Sequence, residues 1–219
     1  MIESVRIVGT GRVGSALAGR LRERGLELVE EGAALVVLCV PDAAIADCAR
    51  SLPRGPWVAH VSGATPLAAL APHRRRLSVH PLQTFTLQRG PEQLDGAWAA
   101  VTAETTEALE VGRWLARTLG LEPFELRDDS RVLYHAGAAF VSSYLVTLQR
   151  AARSLFETVG APPEALVPLM RRTIDNGFQM TGPIVRGDLA TIEAHVEAIH
   201  RHRPELEPLV RCLAEATTP

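Results

Sequence analysis

The chain has 219 residues, 47% of them hydrophobic and 22% charged, with a formal net charge of −2. That is enough apolar material for one large core or two modest ones. The near-neutral balance excludes a globally basic surface for nucleic acid or anionic lipid, and no apolar run approaches the roughly 20 residues that span a bilayer.

In chain order, residues 4–9, "SVRIVG", read as a buried parallel strand because they run apolar more than they alternate. A helix is expected over residues 12–24, with Val13, Ala16, Leu17 and Leu21 on its inner face. "LELVE" is a short strand. Residues 33–41, "AALVVLCVP", are the strongest strand signal, closed by proline, and Asp42 can cap a helix over residues 43–51. Further strands are expected at 57–63, 77–81, 97–103 and 123–127, with an amphipathic helix over 106–119 that stops at Gly120.

From Asp128 onward no strand pattern remains. Residues 128–160 predict one long helix capped by Asp129 or Ser130, and a second helix starts at the prolines 162–163. "TGPIVRGD" is a turn, Asp188 caps a third helix through His200, and a last helix follows Pro204. Strands first and helices later imply an α/β domain over residues 1–127 and an all-α domain over 128–219.

The three cysteines have no metal-ligand spacing and read as small buried residues of a reducing compartment. No metal site is expected, since the seven histidines form no HExxH-like arrangement. The N-terminus enters a strand directly and lacks the regions of a signal peptide, so a cytoplasmic location is expected. All 23 basic residues are arginine, which excludes any mechanism built on a catalytic lysine.

Between the first strand and helix, Gly9, Gly11 and Gly14 match the G-x-G-x-x-G fingerprint for dinucleotides. The first glycine permits the tight turn, the second lets the backbone approach a pyrophosphate, and the third lets helix and strand pack closely. Thr10, Arg12 and Val13 complete this cofactor-binding loop, and the helix N-terminus offers free N–H groups to phosphate. Val40, Pro41 and Asp42 end the central strand where a nicotinamide ribose would pass. Glu30 and Glu31 stand where an acidic residue receives a ribose. Only Gly32, Ala33 and Ala34 separate Glu31 from Leu35 in the central strand, too little for a full parallel crossover. The second strand unit is therefore shortened, and NAD and NADP both remain open as cofactor.

His60 and Ser62 end one strand, and His80 ends the next, with Gln83 and Thr84 just beyond. They form either a polar substrate pocket or ordinary structural hydrogen bonds. On the long helix His135 and Ser142 are seven residues apart and share a face. His135 suits proton donation to a carbonyl or imine, with Tyr134 as a substitute acid. Arg186 suits a carboxylate clamp, an internal pair with Asp188 or a dimer contact.

The stretches "GTGRVGSALA", "LCVPDAAI", "HVSGA", "HPLQTF", "YHAGAAFVSSYLVTL" and "TGPIVRGD" together resemble a group of Rossmann-like oxidoreductases that carry a C-terminal domain of unknown function, number 2520. That group is similar to pyrroline-5-carboxylate reductase and ketopantoate reductase. The resemblance implies a nucleotide-binding domain, a helical domain that dimerises, and a cleft between them. It implies an NAD(P)-dependent reductase of a small carbonyl or imine substrate, with no nucleic-acid or membrane partner. Two departures stand against it. The second strand and helix are cut down, and Ser143 stands where such proteins carry an asparagine. These favour the alternative of a non-catalytic nucleotide- or metabolite-binding dimeric module.

Overall fold

The computed structural model describes residues 2–183 and 185–217. They divide into two compact units, Met1–Phe140 and Val141–Pro219.

The first unit is built on a seven-stranded sheet. Its strands are β1 Ser4–Val8, β2 Glu27–Leu28, β3 Leu35–Leu38, β4 Trp57–His60, β5 Arg76–Leu82, β6 Trp98–Ala103 and β7 Glu122–Glu125, in the order β2-β1-β3-β4-β5-β6-β7. The helices α1 Arg12–Glu23, α2 Ile45–Ser51 and α3 Thr106–Thr118 cover its faces. All four residues of β3 are buried, because its side chains feed two cores. Leu35 and Val37 join Leu17, Leu21 and Leu115 on one face, while Val36 and Leu38 join Ile45, Ala49 and Leu67 on the other. Each Val, Leu or Ile among these that is removed from water stabilises the fold by about 1.5–3 kcal/mol.

The short link after β2 resolves the crossover problem. Leu28 and Leu35 both pair with Val5, on opposite sides of β1. A two-residue strand leaves almost no length to retrace. Residues 29–34 need only step sideways by two strand spacings, roughly 10 Å, well within their reach. β2 is thus parallel, and the helix and further strand that follow it in a full doubly wound sheet are missing.

The parallel sheet expected from the strand pattern is corrected at its far side. β5 and β6 are antiparallel, and β7 follows β6 in parallel. The segment between Leu82 and Trp98 contains only a 3-10 turn, Pro91–Leu94, and no crossover helix. It folds back on itself at the same end of the sheet instead of crossing it, so Trp98 starts beside Leu82. Gln93 holds this segment, its side-chain amide donating to the carbonyls of Thr86, Arg89 and Gly90.

A 3-10 turn, Asp128–Ser130, leads into α4 Arg131–Ala139. The caps expected from Asp129 and Ser130 are not made. Asp129 instead receives the Arg127 guanidinium, and the Ser130 hydroxyl donates to Asp129 at 3.0 Å. Asp42 is likewise no cap: Pro41 precedes a 3-10 turn, Asp42–Ala44, without a side-chain hydrogen bond.

The long helical stretch is interrupted by a π-helical turn, Phe140–Tyr144. The second unit continues with α5 Leu145–Thr158, α6 Leu166–Asp175, α7 Leu189–His202 and α8 Glu207–Thr217. Proline-led 3-10 turns open α6 and α8. The turn expected before α7 is closed by the Asp188 N–H donating to the Pro183 carbonyl at 2.9 Å; Ile184 within it lies outside the described residues. Asp188 caps α7 as expected, accepting from the Thr191 N–H at 3.1 Å and its hydroxyl at 2.7 Å. No helix among the described residues is long and apolar enough to cross a membrane.

Candidate functional site

The C-terminal ends of β1, β3, β4 and β5 share one edge of the sheet, because these strands run parallel. The glycine loop leaves β1 there. Gly9 has φ +107°, and a Cβ on it would lie 2.4 Å from the Cys39 carbonyl oxygen, so only glycine fits this turn. A Cβ on Gly14 would lie 1.9 Å from the Gly9 carbonyl oxygen, which is the close helix–strand packing the fingerprint requires. A Cβ on Gly11 would meet nothing within 4 Å. Gly11 also begins α1, with no side chain capping its first turn. Thr10, Gly11 and Arg12 are exposed and Val13 is half-buried. The loop is therefore open where a pyrophosphate would lie and tight elsewhere, which fits a nucleotide cradle.

The ribose side is different. Glu30 reaches back to within 3.9 Å of Arg6 Nε, in the middle of β1. Arg6 is three positions before Gly9, roughly 10 Å along a strand. Glu30 thus lies below the cradle, exposed and not hydrogen-bonded to Arg6 Nε, because β2 ends before it can carry an acidic side chain to the sheet edge.

Beside the cradle lies a polar cluster. Leu38, His60, Ser78 and Thr102 are register partners across β3 to β6. His60 is fully buried, and its Nδ1 accepts from the Ser62 N–H at 3.2 Å. The ring proton therefore sits on Nε2, which is buried and has no hydrogen-bond partner among the described residues. Burial first, then the positive charge of Arg131, lowers the His60 pKa to about 3. The Ser62 hydroxyl donates to Asp42 Oδ2 at 2.8 Å and accepts from the Thr65 N–H at 3.0 Å.

His80 Nδ1 lies 2.8 Å from the Tyr134 hydroxyl. Burial, then His135 and Arg131, lowers the His80 pKa to about 4, so the ring is neutral at physiological pH. Burial also pushes the Tyr134 phenol up to about 12. His135 is exposed and stands edge-on to His80, with ring centroids 5.8 Å apart. Gly63 passes directly beneath both rings. A Cβ there would lie 2.4 Å from His135 Cδ2 and 2.9 Å from His80 Nε2.

Of the residues singled out in the sequence, the structure brings together Asp42, His60, Ser62, His80, Tyr134 and His135. Val40 and Pro41 flank the cradle, with Val40 Cγ1 3.4 Å from where a Gly9 Cβ would stand. Thr84 is exposed, and its N–H donates to the Gln83 side chain. Ser142 lies in the π-helical turn of the second unit, and Arg186 is exposed in a turn of that unit.

Sequence reasoning missed Arg131. Its side chain is 1% exposed. It donates to the Thr65 carbonyl at 2.8 Å, Thr102 Oγ1 at 2.7 Å, Ser78 Oγ at 2.9 Å and the Ser62 carbonyl. Two signals pointed to it. A cation in the first turn of a helix opposes the dipole, and Ser78 and Thr102 are isolated hydroxyls inside apolar strands. Among the described residues no group of three His, Cys, Asp or Glu is placed to hold a metal ion.

A mostly parallel sheet with an open glycine loop at its carboxyl edge defines a Rossmann-like fold of the nucleotide-binding type. The family described as Domain of unknown function (DUF2520) matches residues 97–217, more than half of the chain, and the chain belongs to that family. No curated protein matches it in sequence. Among solved structures, an NADP oxidoreductase candidate from Bacteroides fragilis is similar with a TM-score of 0.83 at 20% identity, over 99% of this chain and 98% of that one. Protein TM1727 from Thermotoga maritima is similar with a TM-score of 0.73 at 22% identity, over 97% and 98% of the two chains. A reductive aminase from Aspergillus terreus, in complex with NADPH and ethyl levulinate, is similar with a TM-score of 0.70 at 15% identity, over 99% and 93%. At these identities the likeness is one of fold.

Proposed function

We propose that the protein is an NAD(P)-dependent oxidoreductase that reduces a small carbonyl or imine substrate. One observation carries this reading: the open Gly9–Gly14 cradle and the Tyr134–His80 pair stand on the same edge of the same sheet. The reductive aminase with NADPH bound, a relative in fold, supports it. Gly11 and the first turn of α1 would hold the pyrophosphate, with Arg12 beside them and Val40, Pro41 and Asp42 along the nicotinamide ribose. When bound, the nicotinamide supplies a hydride.

Tyr134 would donate the proton. Its raised pKa keeps it protonated, and an alkoxide or amide anion is more basic than tyrosinate, so the transfer runs downhill. His80, held neutral by burial, would return its Nδ1 proton to the tyrosinate as its Nε2 takes up one from water, so that the ring stays neutral. His135, at the exposed rim of the pair, is an alternative route for that proton. Thr84, exposed beyond β5, would bound the substrate, whereas the fully buried His60 and the Ser62 hydroxyl bonded to Asp42 support the site from behind. Ser142 and Arg186 lie on the second unit. Apolar side chains such as Val141, Leu145 and Leu169 are exposed there, and we assign them to a homodimer contact. Three free cysteines accord with a cytoplasmic location.

A thermal-shift series with NADH, NADPH, AMP and phosphate tests the reading. A rise in Tm with NADH or NADPH, removed by Gly11→Asp, is expected. Absence of any shift at millimolar coenzyme would overturn it. A second reading, a binding module without turnover, is favoured by the two-residue β2 and by Glu30 standing near Arg6 rather than at the sheet edge. It predicts stabilisation by coenzyme or a mononucleotide with no coenzyme oxidation across carbonyl and imine substrates.

A further inference from the structure

The structure assigns to Arg131 the role of a positioning residue that joins the turn after β4 to the start of α4 and thereby sets Tyr134 against His80. This assignment rests on the proton-donor reading of Tyr134 for its functional meaning, but its geometry stands independently.

The guanidinium sits where three parts of the first unit meet. Its Nε donates to the Thr65 carbonyl and Nη2 to the Ser62 carbonyl, so it holds both ends of the turn that contains Gly63. Nη1 reaches Thr102 on β6 and Nη2 also reaches Ser78 on β5. Asp128, one turn earlier, reinforces the same joint by accepting from the Leu67 N–H at 3.0 Å. Tyr134 stands one helical turn after Arg131, and His80 stands two residues after Ser78 on the same face of β5. Fixing Arg131 on Ser78 therefore fixes the height of Tyr134 against His80. Gly63, beneath the His80 and His135 rings, leaves no slack: a shift of the turn would strike both rings.

Arginine is required by the number of bonds. A planar fork presents five N–H donors and serves acceptors in several directions, whereas an ammonium is a compact point charge on a flexible stem. Asp128 approaches Arg131 only to 4.0 Å, so neutral acceptors do most of the holding. The charge has a second effect. His80 faces Arg131, Tyr134 and His135 on α4, Asp42 after β3, and His60 on β4. Arg131 is a fixed cation among these groups and helps keep both buried histidines neutral.

The test uses Arg131→Lys, which keeps charge without the fork, and Arg131→Met, which keeps neither. Histidine and tyrosine NMR on the coenzyme-free protein reads the nuclear Overhauser contact between the Tyr134 ring and the His80 ring, and the His80 titration midpoint. Both variants are expected to lose the contact, with the midpoint moving up from about 4 toward 6.5 and furthest in Arg131→Met. Coenzyme affinity should stay within about twofold while kcat falls at least about tenfold. If Arg131→Lys retains the contact and the wild-type midpoint, positioning by the fork is overturned. Should either variant fail to fold, the double variant Ser78→Ala/Thr102→Val removes two of the four acceptors. It is expected to weaken the contact, and an unchanged contact there overturns the proposal equally. The NMR readout needs no coenzyme, so a failed coenzyme titration sinks the oxidoreductase reading alone.

Discussion

The Tyr134 hydroxyl and His80 Nδ1 lie 2.8 Å apart, although the two residues are separated by 54 positions in the chain. One comes from the end of a β-strand and the other from the second turn of a helix. Neither ring carries charge at neutral pH, because burial holds His80 low and Tyr134 high. Tyr134 is therefore held in its protonated form, and once it has given its proton to a substrate the phenol is restored only if His80 Nε2 gains a proton as Nδ1 gives one up.

Tyr134→Phe removes the proton donor while keeping the ring against Phe124. Turnover of any carbonyl substrate should fall by roughly 10²–10⁴-fold, the usual worth of a positioned acid, with coenzyme affinity unchanged. Steady-state kinetics beside a coenzyme titration checks this. A variant that turns over at the wild-type rate would remove Tyr134 from the chemistry.

Two glycines of the cradle, Gly11 and Gly14, should respond differently. Gly11→Asp places its side chain in open space, so Tm should hold while stabilisation by coenzyme disappears. Gly14→Ala drives a methyl group into the Gly9 carbonyl and should lower stability by about 1–3 kcal/mol. Chemical denaturation with and without coenzyme separates the two effects. Equal stability losses at both positions would contradict the open geometry at Gly11.

Stability should fall on mild acidification. In the unfolded chain both His60 and His80 bind protons below about pH 6.5, whereas the folded protein resists protonation down to about 3 and about 4. The unfolded state therefore holds more protons across that interval. The contribution of the neutral rings is complete above pH 6.5 and declines as pH drops through the window, by about 1.4 kcal/mol per pH unit for each ring. Melting curves from pH 7 to 4.5 should show this slope, and His60→Gln/His80→Gln should flatten it. An equally steep decline in the double variant would place its source elsewhere.

The thiols should differ in reactivity. Burial pushes Cys39 up to about 12, while Cys212 is exposed. A thiol reagent at pH 8 should modify Cys212 promptly and the half-buried Cys39 far more slowly until the protein unfolds. Mass mapping of the labelled peptides decides it; rapid labelling of Cys39 in the native protein would contradict the tight packing of the strand behind Gly9.

Much of the first unit could be read directly. The glycine loop, α1 and the apolar β3 stood out because strand and helix periods are local patterns. The shortened second strand was evident from chain length alone, since so few residues follow Glu31 before Leu35. The direction of β6 was not evident. An apolar strand such as "AWAAVTA" reads the same in either direction, and only the path of residues 83–97 orients it. The caps were readable in part. Asp188 made its expected bonds, while Asp42 was drawn to Ser62 and Asp129 to Arg127. A capping side chain is a local offer, and a competing partner brought close by the fold can take it.

The sequence by itself determined the glycine cradle, the order of strands before helices and the histidines at strand ends, because steric freedom and side-chain periodicity act over a few neighbouring residues. Tertiary structure alone decided that Arg131 turns inward onto Ser62, Thr65, Ser78 and Thr102, that Tyr134 rather than His135 bonds to His80, and that Glu30 lies near Arg6 instead of at the sheet edge. Those outcomes depend on strand register and on which charged or polar groups lose their water together. Both are properties of distant segments packed against one another.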